Sequence, residues 1–191
     1  MTHIEIWTLA LALAMDCFTV AIAGGVSMKQ CKWRPRLHMA LFFGLFQALN
    51  PLIGWTVADA SRSLIESVDH WIAFAILGYL GARMILESFK EEEEKKFNPE
   101  SLKVILTMAI ATSIDALAVG VSFSCMGIEA LNRLTYPIAA IGFVSFAMSI
   151  CGLLLGIKFG RKFARRLRAE MWGGIILIII GIKVVIEHTY Y

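Results

Sequence analysis

The chain has 191 residues, of which 58% are hydrophobic and 17% are charged, and its mean hydropathy is +0.70. Soluble globular domains average about 45–50% apolar and about 25% charged residues, so this composition excludes an ordinary soluble domain. The apolar residues also form long continuous runs. Runs of about 18 or more predict helices that span a bilayer, because such a helix satisfies its backbone hydrogen bonds internally.

Six apolar runs follow one another along the chain, and each can cross ~30 Å of hydrocarbon at ~1.5 Å per residue. They cover residues 4–27, 37–59, 71–89, 102–125, 136–157 and 172–188. The first run has no basic leader and no small-residue cleavage pattern, and Asp16 lies at its centre. We therefore expect a retained helix and not a signal peptide. The predicted fold class is an all-α membrane protein of six transmembrane helices.

Basic residues are concentrated in three of the connecting segments. Of the 18 Lys and Arg, four follow the first apolar run, four follow the third and six follow the fifth, whereas two lie in connections on the opposite side. Loops rich in Lys and Arg stay in the cytoplasm. Both termini are therefore expected to face outward.

An internal repeat relates the first three runs to the last three. Offsets of 98 to 100 superimpose Asp16 on Asp115, Gly44 on Gly142, Gly54 on Gly152, and Arg83 on Lys183. Three crossings are an odd number, so the second half enters the membrane with the opposite orientation, as in many secondary transporters. We predict two inverted three-helix repeats, residues 1–89 and 102–191, joined by a charged cytoplasmic linker at 90–101.

Asp16 and Asp115 are the main candidates for function. Each lies ~18–20 Å into its predicted helix, near the middle of the bilayer. A carboxylate there costs about 2.5–3.5 kcal/mol, and ionisable residues at this depth usually line a cavity or an ion path. The alternative is a protonated aspartate hydrogen-bonded across a helix interface. The repeat favours a functional pair, because it supplies the same group twice.

Other oxygen-bearing side chains lie in the same apolar runs. Gln47 and Asn50 precede Pro51, which lacks an N–H and therefore frees a backbone carbonyl near Gln47. Ordinary interhelical hydrogen bonding is an equal alternative for these amides and the nearby hydroxyls. Carboxylate, amide and hydroxyl oxygens suit Mg²⁺, Ca²⁺ or Mn²⁺ better than metals that prefer thiolates. The predicted metal-binding set is Asp16, Asp115, Asn50, Gln47, Ser113 and Ser149.

Two further pairs of charges lie within apolar runs. Arg83 and Glu87, and Lys183 and Glu187, are spaced four residues apart, so each is predicted to form an ion pair along its own helix. A role for these pairs as a gate between the two halves is a secondary hypothesis.

The sequence contains no P-loop motif, and it predicts neither an enzyme, nor a cofactor, nor a nucleic-acid partner. Moving a divalent cation outward against an inside-negative potential costs about 4.6 kcal/mol per 100 mV, so export needs a coupled reaction. Proton antiport through the two carboxylates is the simplest hypothesis. A membrane thiol–disulfide electron carrier is the alternative from another functional class. That function would be expected to have cysteines at repeat-related positions, and the cysteines of this chain do not occupy such positions.

Three sequence strings carry a family resemblance: AMDCFTVAIAGG around Asp16, FFGLFQALNPLIGW in the second run and AIATSIDALAVGVSF around Asp115. With them the chain resembles the bacterial manganese efflux pumps of the MntP family, in the LysE exporter superfamily. The resemblance implies a multi-pass protein of the bacterial inner membrane that exports Mn²⁺. We expect this export to proceed by alternating access. The resemblance also implies that Asp16 and Asp115 are the family's two buried aspartates.

Gln47 departs from the family pattern, in which some members carry glutamate. A neutral side chain here leaves the coordination shell and the ion-to-proton ratio open. Export of another divalent cation or a small solute on the same scaffold is the main alternative, and the oligomeric state is open.

Overall fold

The computed structural model describes residues 2–28, 33–60, 69–89, 101–126, 128, 131–159 and 169–190. In this part of the chain the regular structure is helical throughout, with no strand. The helices are α1 His3–Ser27, α2 Trp33–Ala60, α3 Asp69–Ser88, α4 Leu102–Thr112, α5 Ile114–Cys125, α6 Leu131–Phe159 and α7 Ala169–Tyr190. Residues 90–100 of the predicted linker lie outside the described residues.

The helices match the six predicted apolar runs in order, since α4 and α5 together form the fourth crossing. Among the described residues, four segments are long and apolar enough to cross a membrane, namely His3–Ser27, Trp33–Ala60, Leu102–Cys125 and Leu131–Phe159. A shorter apolar stretch, Phe74–Leu86, lies within α3. The prediction of an all-helical, multi-pass membrane protein is therefore confirmed.

The outer face of α2 shows why the chain requires a bilayer. Its residues at four-residue spacing are all exposed and all apolar, namely Leu41, Leu45, Leu49, Ile53 and Val57. A helix on the surface of a soluble protein carries polar residues on its outward face. This exposed apolar face is suited to contact with the hydrocarbon chains of a bilayer.

Helices adjacent in sequence are not the main packing partners. The helix α1 packs against α6 and α7, α2 packs against α5 and α6, and α3 packs against α7, whereas α1 and α2 scarcely touch. Residues before and after the linker therefore interleave to form one core.

Glycines allow the closest of these contacts. A Cβ added at Gly152 of α6 would lie 2.6 Å from the carbonyl oxygen of Phe18 in α1. One added at Gly54 of α2 would collide with the carbonyl of Leu117 in α5. Small residues at such crossings let helix backbones approach closely in a membrane, where van der Waals packing replaces the hydrophobic effect.

We predict that Gly54→Ala destabilises the protein by about 1–3 kcal/mol, because the added methyl group has no space and the helices must separate. Gly78→Ala in α3 is the matched control, since no atom lies within 4 Å of the position of its added Cβ. Thermal unfolding in detergent should show a lower midpoint for the first variant alone. Equal midpoints for the two variants would contradict the close approach of α2 and α5.

Candidate functional site

The fourth crossing is interrupted at Ser113, between α4 and α5. Its backbone angles, φ −101° and ψ 1°, differ from those of a regular α-helix. Its N–H donates to the carbonyl of Ile110 at 3.2 Å, and its Oγ donates to the same carbonyl at 3.0 Å. A serine that bonds the local backbone in this way competes with the helical ladder, which explains a break inside one apolar run.

Asp115 lies in the first turn of α5 because of this break. The positive end of the α5 dipole favours a carboxylate there. The side chain is 10% exposed, and its Oδ1 accepts a hydrogen bond at 3.0 Å from Nη1 of Arg83 in α3. Asp115 is thus buried next to a cation from another helix.

The predicted i,i+4 ion pairs involve Glu87 and Glu187, whose side chains lie outside the described residues. The structure shows longer-range contacts for both basic residues. Arg83 contacts Asp115, and Lys183 Nζ contacts Glu5 Oε1 of α1. Spacing along a helix could not reveal these partners, because they lie 32 and 178 residues away.

Two amides on one face of α2 connect the aspartate-bearing crossings. Asn50 donates from Nδ2 to the carbonyl of Ser113 at 2.9 Å and to its Oγ at 2.6 Å. Gln47 donates from Nε2 to the carbonyl of Leu13 at 3.1 Å and to Sγ of Cys17 at 3.3 Å. The same helix face therefore contacts α1 beside Asp16 and the break that precedes Asp115.

The two aspartate motifs also meet directly. Cys17, which follows Asp16, lies with its Sγ 4.0 Å from Oγ1 of Thr112, which precedes Ser113. Asp16 itself is partly buried and has an interaction partner in the structure. The segments that carry the two predicted carboxylates are thus adjacent in the fold.

Two buried side-chain oxygens in the described part of the protein accept no hydrogen bond: Oε1 of Gln47 and Oγ of Ser145 in α6. Both residues are fully buried. Each lies three positions after a glycine, Gly44 or Gly142, at which α2 and α6 cross. A buried polar oxygen without a partner costs about 1–3 kcal/mol, so these atoms are suited to meeting a cation or water.

Ser149, from the predicted set, has a more local role. Its Oγ donates to the carbonyl of Ser145 at 2.6 Å, so its hydroxyl hydrogen forms a bond within α6. Ser145 is the serine whose hydroxyl has no partner. A signal for Ser145 exists in the sequence, since the offset of 98 places it over Gln47.

The polar residues lie between two buried apolar clusters. The first cluster includes Leu9, Leu13, Trp55, Val119 and Phe123. The second includes Cys17, Met39, Phe43, Ile105 and Leu153. Along α1, α2 and α4–α5, the polar positions separate the residues of the first cluster from those of the second. We call this set of polar positions, Asp16, Gln47, Asn50, Ser113 and Asp115, the polar layer.

The composition of the polar layer limits its chemistry. In the described parts of the chain, no three His, Cys, Asp or Glu side chains are grouped in a way that could hold a metal ion. Within the described residues, the polar layer offers an ion two carboxylates, together with amide, hydroxyl and carbonyl oxygens. Oxygen ligands of this kind suit hard divalent cations and not thiolate-preferring metals.

Comparison with known proteins assigns the family. The family model described as "Putative manganese efflux pump" matches residues 30–185. A protein of the same description, MntP of Bacteroides fragilis, is 62% identical over 192 residues, covering 100% of this chain and 99% of the relative. The chain belongs to the MntP family.

Other MntP relatives extend this similarity. The protein from Bacteroides thetaiotaomicron is 62% identical over 191 residues, with 100% of this chain and 99% of the relative covered. The one from Gloeothece citriformis is 45% identical over 181 residues, covering 94% of this chain and 93% of the relative. No solved structure matches the chain. The resemblance seen in the sequence motifs is confirmed.

We predict that Asn50→Leu destabilises this MntP-family protein by about 1–3 kcal/mol, because it removes the side-chain amide that donates to both the carbonyl and the Oγ of Ser113. Asn132→Leu, at an exposed position in the first turn of α6, should change stability by less than about 0.5 kcal/mol. Chemical unfolding in detergent measures both. Equal losses in the two variants would show that Asn50 does not hold the break in place.

Proposed function

We propose that this chain exports Mn²⁺ from the cytoplasm through the polar layer. The observation that carries the proposal is the contact between Cys17 and Thr112, which brings the two aspartate motifs together between two apolar clusters. The identity of the transported ion is inferred from the names of the relatives, since each is described as a manganese efflux pump.

The side-chain hydrogen bonds indicate which atoms would face the ion. Both amide nitrogens are used, Nε2 of Gln47 by α1 and Nδ2 of Asn50 by Ser113. Their carbonyl oxygens are therefore the atoms available as ligands, beside the carboxylates of Asp16 and Asp115. Ser113, in the same polar layer, and Ser149 complete the proposed set. With so few charges this set favours a site that releases its ion, as a transporter requires.

The inverted repeat is part of the proposal. The contact of Gly152 with the Phe18 carbonyl joins α6 to α1, and that of Gly54 with the Leu117 carbonyl joins α2 to α5. An offset of 98 relates Gly54 to Gly152, and an offset of 99 relates Phe18 to Leu117. The repeat therefore relates the first contact to the second. This agreement supports repeats at 1–89 and 102–191, with both termini outside, as the basic loops favour.

The position of the polar layer supports alternating access. Each apolar cluster separates the layer from one side of the membrane, so opening one at a time would expose the ion first to the cytoplasm and then to the outside of the bacterial inner membrane. Export of a divalent cation costs about 4.6 kcal/mol per 100 mV of inside-negative potential. Inward movement of protons, which compete with Mn²⁺ for the same carboxylate oxygens, would supply that energy.

We predict that Asp16→Asn and Asp115→Asn each reduce Mn²⁺ export by at least about tenfold, because an amide keeps the shape but not the charge. Asp59→Asn, near the end of α2 and outside the polar layer, is the matched control and should export normally. The measurement is intracellular manganese in cells that lack their own exporter. Normal export by either of the first two variants, at equal expression, would refute the assigned site.

Proton coupling predicts a second signal in proteoliposomes. When Mn²⁺ is supplied outside, its entry should be accompanied by proton exit, so the pH inside should rise. Asp115→Asn should abolish both signals, and Asp59→Asn should keep both. Manganese entry without a change of internal pH would exclude proton antiport, and equal competition by Mg²⁺ or Ca²⁺ would favour a broader cation exporter.

A further inference from the structure

We infer that Arg83 is a tethered counter-ion, which occupies the carboxylate of Asp115 when no substrate is bound and is displaced when the divalent cation enters. This inference rests on the proposed function and concerns the control of the same site. It assigns to Arg83 a role other than the pairing with Glu87 that its spacing predicts.

The geometry of the pair supports competition. Nη1 of Arg83 lies 3.0 Å from Oδ1 of Asp115, a charge-assisted hydrogen bond to a largely buried carboxylate. A metal that binds this carboxylate needs an oxygen lone pair at about 2.0–2.6 Å. A guanidinium at 3.0 Å takes up one lone pair of that oxygen and repels a divalent cation electrostatically. Arg83 and the cation therefore compete for Oδ1.

The two partners differ in their freedom to move. The Asp115 side chain is 10% exposed, whereas that of Arg83 is 43% exposed. Asp115 is held in the first turn of α5, while Arg83 is at the end of a long flexible side chain on α3. The neighbouring Leu80 and Met84 are buried and anchor the α3 backbone. A rotation of the Arg83 side chain can thus release Asp115 without movement of the helix.

Competition of this kind has a consequence for transport. In the substrate-free protein the buried carboxylate is neutralised by Arg83, and in the loaded protein it is neutralised by the cation. Asp115 is then never left as an isolated charge in the membrane, which would be costly. Arg83 can therefore neutralise Asp115 between release of the cation and arrival of a proton, and loss of Arg83 should strengthen cation binding while slowing turnover.

Lys183 provides a matched comparison within the same chain. It occupies the position related to Arg83 by the offset of 100, and it also contacts a carboxylate from another helix. That carboxylate is Glu5, which lies 11 residues before Asp16, or about 16 Å along α1. Removing the charge of Lys183 therefore breaks a similar ion pair away from the polar layer.

The first experiment measures the concentration dependence of Mn²⁺ uptake into proteoliposomes. We expect Arg83→Gln to lower KM by about tenfold and to lower the maximal rate. Lys183→Gln should leave KM unchanged. In Arg83→Ala, added guanidinium ion should raise KM again and restore part of the maximal rate. A purely structural role would give an unchanged or higher KM in Arg83→Gln with no response to guanidinium, and this result would overturn the inference.

A second measurement uses the unaltered protein and so does not depend on the folding of a variant. Phenylglyoxal modifies accessible guanidinium groups, and mass spectrometry reports its reaction at Arg83. Mn²⁺ should increase the rate of modification at Arg83 severalfold, and Asp115→Asn should increase it without Mn²⁺. Modification that is independent of Mn²⁺ would overturn the inference.

The outcomes separate this inference from the proposed function. Full transport by Asp115→Asn would refute the site itself. Loss of transport in Asp115→Asn, with an unchanged KM in Arg83→Gln, would leave the site in place and reject only the tethered counter-ion.

Discussion

A carboxylate buried in the middle of a membrane protein needs compensation, and the arrangement around Asp115 shows how the fold supplies it. The break at Ser113 places Asp115 at the positive end of α5. Arg83 brings a full positive charge from α3. In the substrate-free protein the two elements act together, because without Arg83 the carboxylate would be an unpaired charge in a medium of low dielectric. The packing of α3 against α5 is therefore tied to the electrostatics of one side chain.

The helix α2 has a second organising role. Its two amides use their nitrogen atoms to hold α1 and the α4–α5 break, and they leave carbonyl oxygens within the polar layer. The same face of α2 thus stabilises the helix packing and provides candidate metal ligands. Pro51 lies one position beyond Asn50, and its backbone carbonyl is the group that Gly120 of α5 approaches. Close backbone contact and polar contact occur within the same turn.

Small residues make this convergence possible. Where Gly44 of α2 meets Gly142 of α6, the backbones approach so closely that an added Cβ would lie within about 3 Å of the opposite helix. The fully buried Gln47 and Ser145 lie one turn beyond this crossing. Larger residues at the crossing would separate the helices and admit lipid or water to these oxygens. The packing contacts and the unpartnered oxygens are therefore two results of the same geometry.

The amino-acid sequence by itself determined the helical class, the order of the crossings and the residue types of the candidate site. These properties depend on local composition and on the depth of a residue within its own run, both of which can be counted along the chain. The partner of Arg83, the break at Ser113 and the unpartnered hydroxyl of Ser145 were decided by tertiary structure. The break at Ser113 combines a local bond to Ile110 with the donation from Asn50 of α2. The other two features depend on distances between helices far apart in sequence, and those distances follow from packing, which periodicity within a single helix does not specify.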